Sequence, residues 1–389
     1  MSAAESPEQF YAPERILMAP GPSNLHPRVV RALIAPLVGH KDAYFLGLLE
    51  RTASLLRDVF QTRNRATLAL PTSGGGGMEA ALVNLLEPGD TVVIGVAGFF
   101  AARMVEICRR LAQVSVVVVD GPWGSPLDRS RLVSAVAQHH PKVLAVVHGE
   151  TSTGVEQPLA GLAEACRDYD TFLVVDAVAT LGGVHLPVDE LGIDVCFSGS
   201  QKCLSAPPGL APITVSDRAM DFISQRTTPV SSWYLDVSLH HRLWDTEHIY
   251  HLTSPVLYLY ALHEALRVIE EEGLQERFAR HCLHASALSA GLEAMGLPQF
   301  AAPGYRVPSV VAIKAPPGVS ALAVRRQLID ELNLEISAGL GDHADRMWRV
   351  GILGHSAQRA NVMLLLSGLE HILQLSGGVS AAETAYRTP

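Results

Sequence analysis

Between residues 66 and 215, short apolar runs alternate with segments in which apolar residues recur every three to four positions. Short continuous runs are typical of buried strands, and the longer spacing is typical of helices with one buried face. The alternation predicts βαβ units and therefore a mostly parallel sheet covered by helices. The predicted strands are 67–70, 91–96, 114–119, 143–147, 172–175, 195–198 and 211–215, and the predicted helices are 78–86, 101–111, 128–138 and 158–168.

A different pattern follows residue 256. Residues 256–272 have the spacing of a long helix, which ends at the Glu-Glu-Glu-Gly sequence of positions 270–273. Helical segments then alternate with short apolar segments; the former are 274–295, 319–332 and 358–375, and the latter are 307–313, 334–337 and 347–353. We predict an α/β chain with an N-terminal extended arm (1–15), a large domain (16–272) and a smaller C-terminal α+β domain (273–389).

The composition narrows the classes of partner. The 389 residues carry a formal net charge of −9 at pH 7, so no basic excess is available to bind nucleic acid or an anionic membrane. No apolar run approaches the roughly 18 residues of a membrane span, and the first residues do not resemble a signal peptide. The five cysteines have no CxxC spacing and are interpreted as reduced thiols. A cytoplasmic protein with small-molecule substrates is expected.

Two charged residues follow predicted strands at positions that suit one cofactor. Asp176 closes the apolar run 171–175, and Lys202 lies in the turn Ser-Gly-Ser-Gln-Lys (198–202). Turns after parallel strands meet at one edge of a sheet, where ligands bind. Pyridoxal phosphate needs an amine for a Schiff base and a carboxylate beside its pyridinium nitrogen. The pair predicts this cofactor, although a single lysine after a strand is more often a solvated surface residue.

Four glycines before the predicted helix at 78–86 indicate an anion site. They lie in the sequence Pro-Thr-Ser-Gly-Gly-Gly-Gly-Met (71–78). Glycine lets an anion approach the backbone, and the first turn of a helix offers unpaired N–H groups with partial positive charge. The segment is neither a P-loop nor a GxGxxG fingerprint. By its composition alone, a flexible loop before an ordinary helix is an equal alternative.

A metal hydrolase is a further class to consider, because the chain has 16 histidines. The pairs at 139–140 and 240–241 do not have the spacing of metal ligands, and no HExxH sequence occurs. No metal site is therefore expected.

Longer motifs are spread over nearly the whole chain. They are MAPGPSN (18–24), QTRN (61–64), AALVNLLEPG (80–89), HGETSTG (148–154), DAVATLGG (176–183), SGSQK (198–202), YHLT (250–253) and WRVGILG (348–354). In these motifs the chain resembles the class V aminotransferases of fold type I, specifically the alanine–glyoxylate and serine–pyruvate aminotransferase group. The resemblance implies that family's fold and its dependence on pyridoxal phosphate.

The resemblance also implies roles around the cofactor ring. Lys202 would form the Schiff base and, once released by substrate, would move the proton between the substrate Cα and the cofactor. Asp176 would pair with the pyridinium nitrogen, while Val178 would pack on one face of the ring and Phe100 would stack on it. Thr151 would lie near the ring hydroxyl and the substrate carboxylate.

The phosphate and its surroundings are implied in the same way. Ser73, Gly74 and Gly75 match the phosphate-binding turn, and Gln201 lies beside it. Substrate binding is carried over too, as Arg349 matches the arginine that binds the substrate α-carboxylate.

Two further groups complete the implied site. The backbone N–H of Gly21 would be a second contact for the substrate carboxylate. Tyr250 and Thr253 resemble a pair that reaches the phosphate from the neighbouring subunit, which implies a homodimer with shared active sites. Ordinary packing before the helix at 256–272 is the alternative for these two residues.

Two positions and one segment depart from the family pattern. Phe100 stands where the mammalian relatives have tryptophan, so stacking on the ring should persist with less area. Gly75 replaces a histidine in the phosphate turn and removes a side-chain donor, so weaker cofactor binding is expected. The segment Gly-His-Lys-Asp (39–42) differs where the family approaches the partner's substrate pocket. The choice of amino donor is therefore the least determined property.

The implied activity is transfer of the amino group of a small amino acid, alanine or serine, to glyoxylate or pyruvate by a ping-pong mechanism. (S)-Ureidoglycine–glyoxylate and 3-hydroxykynurenine transamination remain alternatives, because a few pocket side chains separate them. A cysteine desulfurase is disfavoured, since no cysteine follows Cys282. A non-catalytic scaffold is the alternative of another class, and the retention of Lys202, Asp176 and Arg349 together argues against it.

Overall fold

The computed structural model describes residues 12–387. Its helices are α1 (Pro27–Leu33), α2 (Ala43–Phe60), α3 (Gly74–Val83), α4 (Phe99–Cys108), α5 (Arg129–His139), α6 (Leu162–Arg167), α7 (Asp217–Ser224), α8 (Val237–Trp244), α9 (Val256–Glu272), α10 (Leu274–Ala294), α11 (Ala321–Leu332), α12 (Arg359–Leu373) and α13 (Gly378–Arg387). No helix within these described residues has the length and apolar character needed to cross a membrane.

The strands of the described residues form one large sheet and several small ones. They are β1 (Ile16–Leu17), β2 (Ala66–Leu70), β3 (Thr91–Val96), β4 (Ser115–Asp120), β5 (Val143–Val147), β6 (Gly149–Glu150), β7 (Val155–Glu156), β8 (Phe172–Asp176), β9 (Val195–Phe197), β10 (Ala211–Val215), β11 (Val310–Lys314), β12 (Leu334–Glu335), β13 (Ser337–Ala338) and β14 (Met347–Gly351).

The large sheet has the strand order β2-β10-β9-β8-β5-β3-β4. Neighbouring strands are parallel except at β10, which is antiparallel to both β2 and β9. Because β10 is antiparallel to both of its neighbours, β2 runs in the same direction as β9, β8, β5 and β3. The carboxyl ends of these five strands therefore lie at one edge of the sheet, and the turns that follow them can share a ligand.

Burial explains why the apolar runs form this sheet. Every residue of β5 and β8 is buried, as expected for central strands covered by helices on both faces. The border strand β4 is exposed at Ser115 and Asp120, which suits a sheet edge that water can reach. Valine is the most frequent residue of β4, β5 and β8, because β-branched side chains pack well on a pleated sheet.

The predicted α/β fold is confirmed, and the strands predicted for the sheet lie within one residue of their observed bounds. The helix predicted at 78–86 begins earlier, at Gly74. Glycine has low intrinsic helix propensity, but packing outweighs it here: a Cβ at Gly77 would lie 2.9 Å from the Ala211 Cβ. Helices α1, α2, α7, α8 and α13 were not predicted from the sequence.

Two separate hydrophobic clusters form the core. One covers the large sheet and its helices, between Val29 and Leu274, and the other packs α10, α11, α12 and α13 on the sheet of β11, β14 and β13. Met18 belongs to the second cluster, and β1 pairs in parallel with β12, so the chain near residue 17 lies with the C-terminal elements. The division at residue 272 stays a prediction, and most of the predicted arm (1–15) lies outside the described residues.

Candidate active site

The carboxyl edge of the large sheet holds a pocket of about 180 Å³. Four turns that follow parallel strands contribute to it, together with the first turn of α3. The residues that line it are Ser73, Gly74, Gly75, Met78, Phe100, Arg103, Val147, Gly149, Thr151, Asp176, Val178, Gln201 and Lys202. Most of the site residues expected from the sequence are thus brought together in one cavity.

The start of α3 forms one end of the pocket. The first intrahelical hydrogen bond runs from the Gly77 N–H to the Ser73 carbonyl, so the N–H groups of Gly74 and Gly75 precede it. Ser73 is the N-cap, yet its hydroxyl makes no capping bond. Beside this turn, the buried Oε1 of Gln201 has no hydrogen-bond partner among the described residues. Unpaired donors at a helix N-terminus suit an anion such as a phosphate.

Asp176 is the last residue of β8 and lies at the floor of the pocket, 3% exposed. One carboxylate oxygen accepts the Val178 N–H at 2.8 Å. Burial is the largest cause that raises its pKa, to about 7, with the negative field of Glu150 adding to the rise. A cation beside the second oxygen would offset this desolvation cost. The protonated nitrogen of a pyridine ring is such a cation.

Lys202 follows β9 and its side chain is directed at the turn before residue 21. Its Nζ donates to the Pro20 carbonyl. A Cβ on Gly21 would lie 2.7–2.9 Å from the end of the lysine side chain, and Gly21 has a φ of +107°; both the close approach and the backbone conformation require glycine. Burial, and then the positive charge of Arg349, lower the Lys202 pKa to about 8.

Arg349 lies on β14 and does not line the pocket itself. Its Nε donates to the Ala338 carbonyl at 2.8 Å, and a terminal nitrogen donates to the Thr151 carbonyl at 3.3 Å. The residue is 8% exposed and has no ion pair with a carboxylate among the described residues. Burial lowers its pKa to about 10, which leaves it charged. A buried guanidinium of this kind can bind a carboxylate of a ligand.

Glu150 and Arg103 are part of this region although no role was predicted for them. The buried Glu150 carboxylate accepts the Ser152 hydroxyl at 2.6 Å and the N–H groups of Phe100 and Ala101 at 3.4 and 3.2 Å. The Arg103 guanidinium lies 5.0 Å from the Phe100 ring centre. These contacts orient Phe100, and Arg103 itself lies on the pocket wall.

A glycine was the sequence signal for this arrangement. A Cβ on Gly98 would lie 2.3 Å from the Glu150 Cγ. The sequence Gly-Phe-Phe (98–100) therefore has to begin with a residue that lacks a side chain. Glu150 itself stood inside the motif HGETSTG, where nothing distinguished it from a surface glutamate.

Tyr250 and Thr253 lie outside the pocket. The two hydroxyls are 3.2 Å apart, and Tyr250 is 45% exposed. Its ring lies 5.0 Å from the His40 ring. Within one chain, this pair does not complete the phosphate end of the pocket.

In residues 12–387, no group of three or more histidine, cysteine or acidic side chains is arranged to hold a metal ion. His240 and His251 do approach each other, with ring centres 4.8 Å apart. His240 is bonded to the Tyr234 carbonyl, which is the behaviour of a packed histidine.

Comparison with known proteins identifies the family. The model of the family "Aminotransferase class-V" matches residues 30–363. The chain belongs to the class V aminotransferases. The resemblance inferred from the motifs is thereby confirmed, and the chain is a transaminase.

Individual relatives cover almost all of this transaminase. The (S)-ureidoglycine–glyoxylate transaminase of Bacillus subtilis is 37% identical over 96% of this chain and 94% of its own length. A crystal structure of ureidoglycine–glyoxylate aminotransferase from the same organism has a TM-score of 0.95, with 38% identity over 98% of this chain and 100% of the other. The crystal structure of alanine–glyoxylate aminotransferase from Nostoc sp. has a TM-score of 0.92, with 42% identity over 96% and 100%.

The enzyme uses pyridoxal phosphate, as predicted, and the pocket fits that cofactor. The unpaired N–H groups at the start of α3 lie at the end that suits a phosphate. Asp176 is a buried carboxylate that a pyridinium would neutralise, and Lys202 is a buried amine with a lowered pKa in the same cavity. Anion seat, carboxylate and amine are the three functions that the cofactor requires.

Proposed function

We propose that this transaminase moves the amino group of a small amino acid, alanine or serine, to glyoxylate or pyruvate by a ping-pong mechanism. The observation that carries the proposal is that Lys202, Asp176 and the α3 turn line one small pocket, with a buried arginine beside it. The identity of 42% with an alanine–glyoxylate aminotransferase supports the same acceptor.

We assign cofactor binding to the residues that line the pocket. Pyridoxal phosphate supplies an aldehyde that condenses with amines and a ring that withdraws electrons from the attached carbon. The α3 turn, with Ser73, Gly74 and Gly75, would hold the phosphate, and Gln201 would assist it. Asp176 would keep a proton on the ring nitrogen, since a buried carboxylate strongly favours a cation beside it.

The faces of the ring are assigned to Val178 and Phe100, and Thr151 would contact its hydroxyl. Phe100 is held by the amide contact to Glu150 and by the guanidinium of Arg103. An aromatic side chain fixed in this way limits the rotation of a ring packed against it.

Lys202 is the proposed proton carrier. Its pKa of about 8 means that a useful fraction of the amine is neutral near pH 7, and an amine whose pKa is near the working pH is an effective acid and base. Its position beside the Pro20 carbonyl places Nζ next to the turn that contains Gly21. The same side chain could therefore take the proton from a substrate Cα and return it.

Arg349 is the proposed carboxylate anchor for both the amino acid and the 2-oxo acid. Its hydrogen bonds to Ala338 and Thr151 hold the guanidinium in place while leaving other N–H groups available. The Gly21 N–H is assigned as the second contact. Because amino acids and 2-oxo acids share this carboxylate, one anchor serves both halves of the reaction.

We infer a homodimer in which each chain completes the site of the other. Exposed apolar side chains support this: they include Ile34 at 81%, Leu37 at 68%, Trp233 at 63% and Tyr44 at 60%, and large exposed apolar residues mark interaction surfaces. Tyr250 and Thr253 offer hydroxyls on the surface instead of in their own pocket. They would reach the partner's phosphate site.

The cytoplasm is the proposed compartment. It is supported by the five cysteine thiols, all of which are free and four of which are buried, since stable disulfides mark oxidising compartments.

A donor-by-acceptor screen tests the proposed function. Purified enzyme loaded with cofactor would be assayed with alanine, serine, (S)-ureidoglycine and 3-hydroxykynurenine against glyoxylate and pyruvate. Alanine or serine with glyoxylate should give the highest kcat/KM. If (S)-ureidoglycine exceeds both by more than about tenfold, the donor assignment is wrong and the activity of the Bacillus subtilis relative is the better description.

Borohydride reduction tests the cofactor site separately. The yellow enzyme should lose its visible absorbance on reduction and retain the cofactor covalently on the peptide that contains Lys202. Mass spectrometry that finds the adduct on another lysine would contradict the assignment.

A further inference from the structure

A second cavity lies next to the Lys202 turn, between the two hydrophobic clusters. Its volume is about 420 Å³, more than twice that of the active-site pocket. Apolar side chains of the large cluster form one wall, among them Val29, Leu204 and Ala265. The opposite wall contains residues 355 and 357–359, at the start of α12. No step of the proposed reaction uses this cavity.

Its polar wall is positively charged. Arg277, Arg280 and Arg359 line the cavity with a single acidic residue, Glu272. Glu272 is shared: it accepts Arg277 at 2.6 Å and Arg280 at 2.5 and 3.0 Å. One carboxylate against three guanidinium groups leaves two positive charges without a counter-charge on the lining.

Arg359 is the most available of these arginines. Its guanidinium lies 5.0 Å from the Tyr386 ring centre and has no hydrogen-bond acceptor within residues 12–387. Arg277 and Arg280 differ, because carbonyl oxygens and Glu272 occupy most of their donors. The buried Arg277 and the half-buried Arg280 therefore supply a fixed field, and Arg359 can turn toward a ligand.

Three histidines add hydrogen-bonding groups to the lining. They are His26, His284 and His355. Burial and Arg280 lower the pKa of His284 to about 4, and burial, His26 and Arg280 lower the pKa of His355. A neutral imidazole still offers one N–H donor. The lowered values agree with a positive field in the cavity.

We propose that this cavity binds a small oxyanion that carries two negative charges, such as a phosphate or a dicarboxylate. Two excess positive charges match that charge, and the available donors of Arg359 and the histidines match its oxygen acceptors. The volume is ample for an ion of this size with bound water. An anion with a single negative charge would leave one guanidinium without a counter-charge.

The cavity wall is also connected to the active site. Arg277 donates to the carbonyl of Cys203, the residue after Lys202, at 2.6 Å. The Ser205 hydroxyl accepts the His355 N–H at 2.7 Å and lies 2.9 Å from the Ser23 hydroxyl. An anion bound between these elements would stabilise the contact of the Lys202 turn with the segment before α12. The thermal midpoint of the enzyme should therefore rise with anion concentration.

Calorimetry with inorganic phosphate tests the proposal. The cofactor-loaded enzyme keeps its own phosphate seat filled, and sodium chloride holds the ionic strength constant at pH 7.5. We expect one phosphate per chain with a Kd on the order of 1 mM, and a saturable rise in Tm. Arg359→Gln should weaken binding at least about tenfold, while Arg326→Gln, an exposed arginine on α11, should leave it unchanged. Malonate in place of phosphate separates phosphate from dicarboxylate specificity.

Three outcomes overturn the proposal. The first is the absence of saturable heat together with an unchanged Tm. The second is equal weakening by Arg359→Gln and Arg326→Gln, which would mean non-specific attraction. The third is loss of binding in Arg349→Gln but not in Arg359→Gln, which would place the ion in the active site. None of these outcomes depends on the amino donor, so the proposed function is tested independently.

Discussion

Lys202 and Tyr250 belong to the same expected site, but the first is buried in the pocket and the second is exposed outside it. Lys202 and Asp176 are buried, and they meet the α3 turn at the carboxyl edge of the large sheet. Tyr250 and Thr253 lie on the surface and bond to each other. One chain therefore builds the chemical centre by its own fold, whereas the hydroxyl pair has a ligand to bind only if a second chain supplies it.

The largest expected effect comes from removing the amine. Lys202→Ala should lower kcat by at least about 1,000-fold, because no other described group in the pocket can carry the proton between the reacting carbons. The measurement is steady-state transamination, with Tm as a check of folding. Lys314→Ala, an exposed lysine on β11, is the control. Turnover near the wild-type rate in Lys202→Ala would contradict the assignment of Lys202 as the proton carrier.

Arg349→Lys should have the next largest effect. A lysine cannot make the forked contact of a guanidinium with a carboxylate, so KM for the amino acid should rise on the order of 10- to 100-fold while cofactor affinity changes little. Arg346→Lys, three residues earlier and exposed, is the matched control. Unchanged KM, or equal changes in KM and cofactor affinity, would contradict the role as carboxylate anchor.

Tyr250→Phe tests the proposed role of the exposed Tyr250 hydroxyl in binding the cofactor phosphate. Loss of a hydroxyl that binds a phosphate should weaken cofactor affinity about tenfold, measured by titration of apoenzyme with pyridoxal phosphate. Tyr305→Phe, another exposed tyrosine, should bind as the wild type does.

Mixed dimers make this test decisive for the shared site. A dimer of one Lys202→Ala chain and one Tyr250→Phe chain contains one intact site only if Tyr250 acts across the interface. At limiting cofactor, the mixed dimer should then regain about half of the wild-type activity. If it behaves like Tyr250→Phe alone, each site belongs to a single chain.

The smallest expected effect is that of Glu150→Gln, which should change the pH dependence of cofactor uptake. The folded pKa of Asp176, about 7, lies above the ordinary value of 3.8. Its contribution to apoenzyme stability is therefore complete below pH 3.8 and is lost as pH rises through 7. The ionised form is the one that pairs with a pyridinium, so cofactor uptake should improve over the same rise.

Removal of the Glu150 charge lowers the Asp176 pKa, because that charge is one of the causes that raise it. The midpoint of cofactor uptake should move to lower pH by less than about one unit. Absorbance of the bound cofactor against pH measures it, with Glu106→Gln on α4 as the control. An unchanged midpoint, or a shift to higher pH, would contradict the electrostatic effect of Glu150 on Asp176.

The sequence by itself determined which side chains could perform the chemistry. Apolar runs of the right length fixed the strands of the large sheet, because burial on both faces leaves few other conformations for them. The positions of Asp176 and Lys202 immediately after such runs then placed both at one edge. Arg349, Tyr250 and Gly21 had no comparable signal in local pattern, and only the longer motifs pointed to them.

The tertiary structure decided the contacts that join distant segments. The Glu150 carboxylate lies where Gly98 has no side chain, and Gly21 approaches Lys202 from far along the chain. The second cavity, which three arginines line, lies between α10 and the start of α12, where the two hydrophobic clusters meet. Strand and helix patterns reflect local periodicity, whereas these contacts depend on packing between segments far apart in sequence. A glycine can mark a close approach, but it does not show which distant side chain makes it.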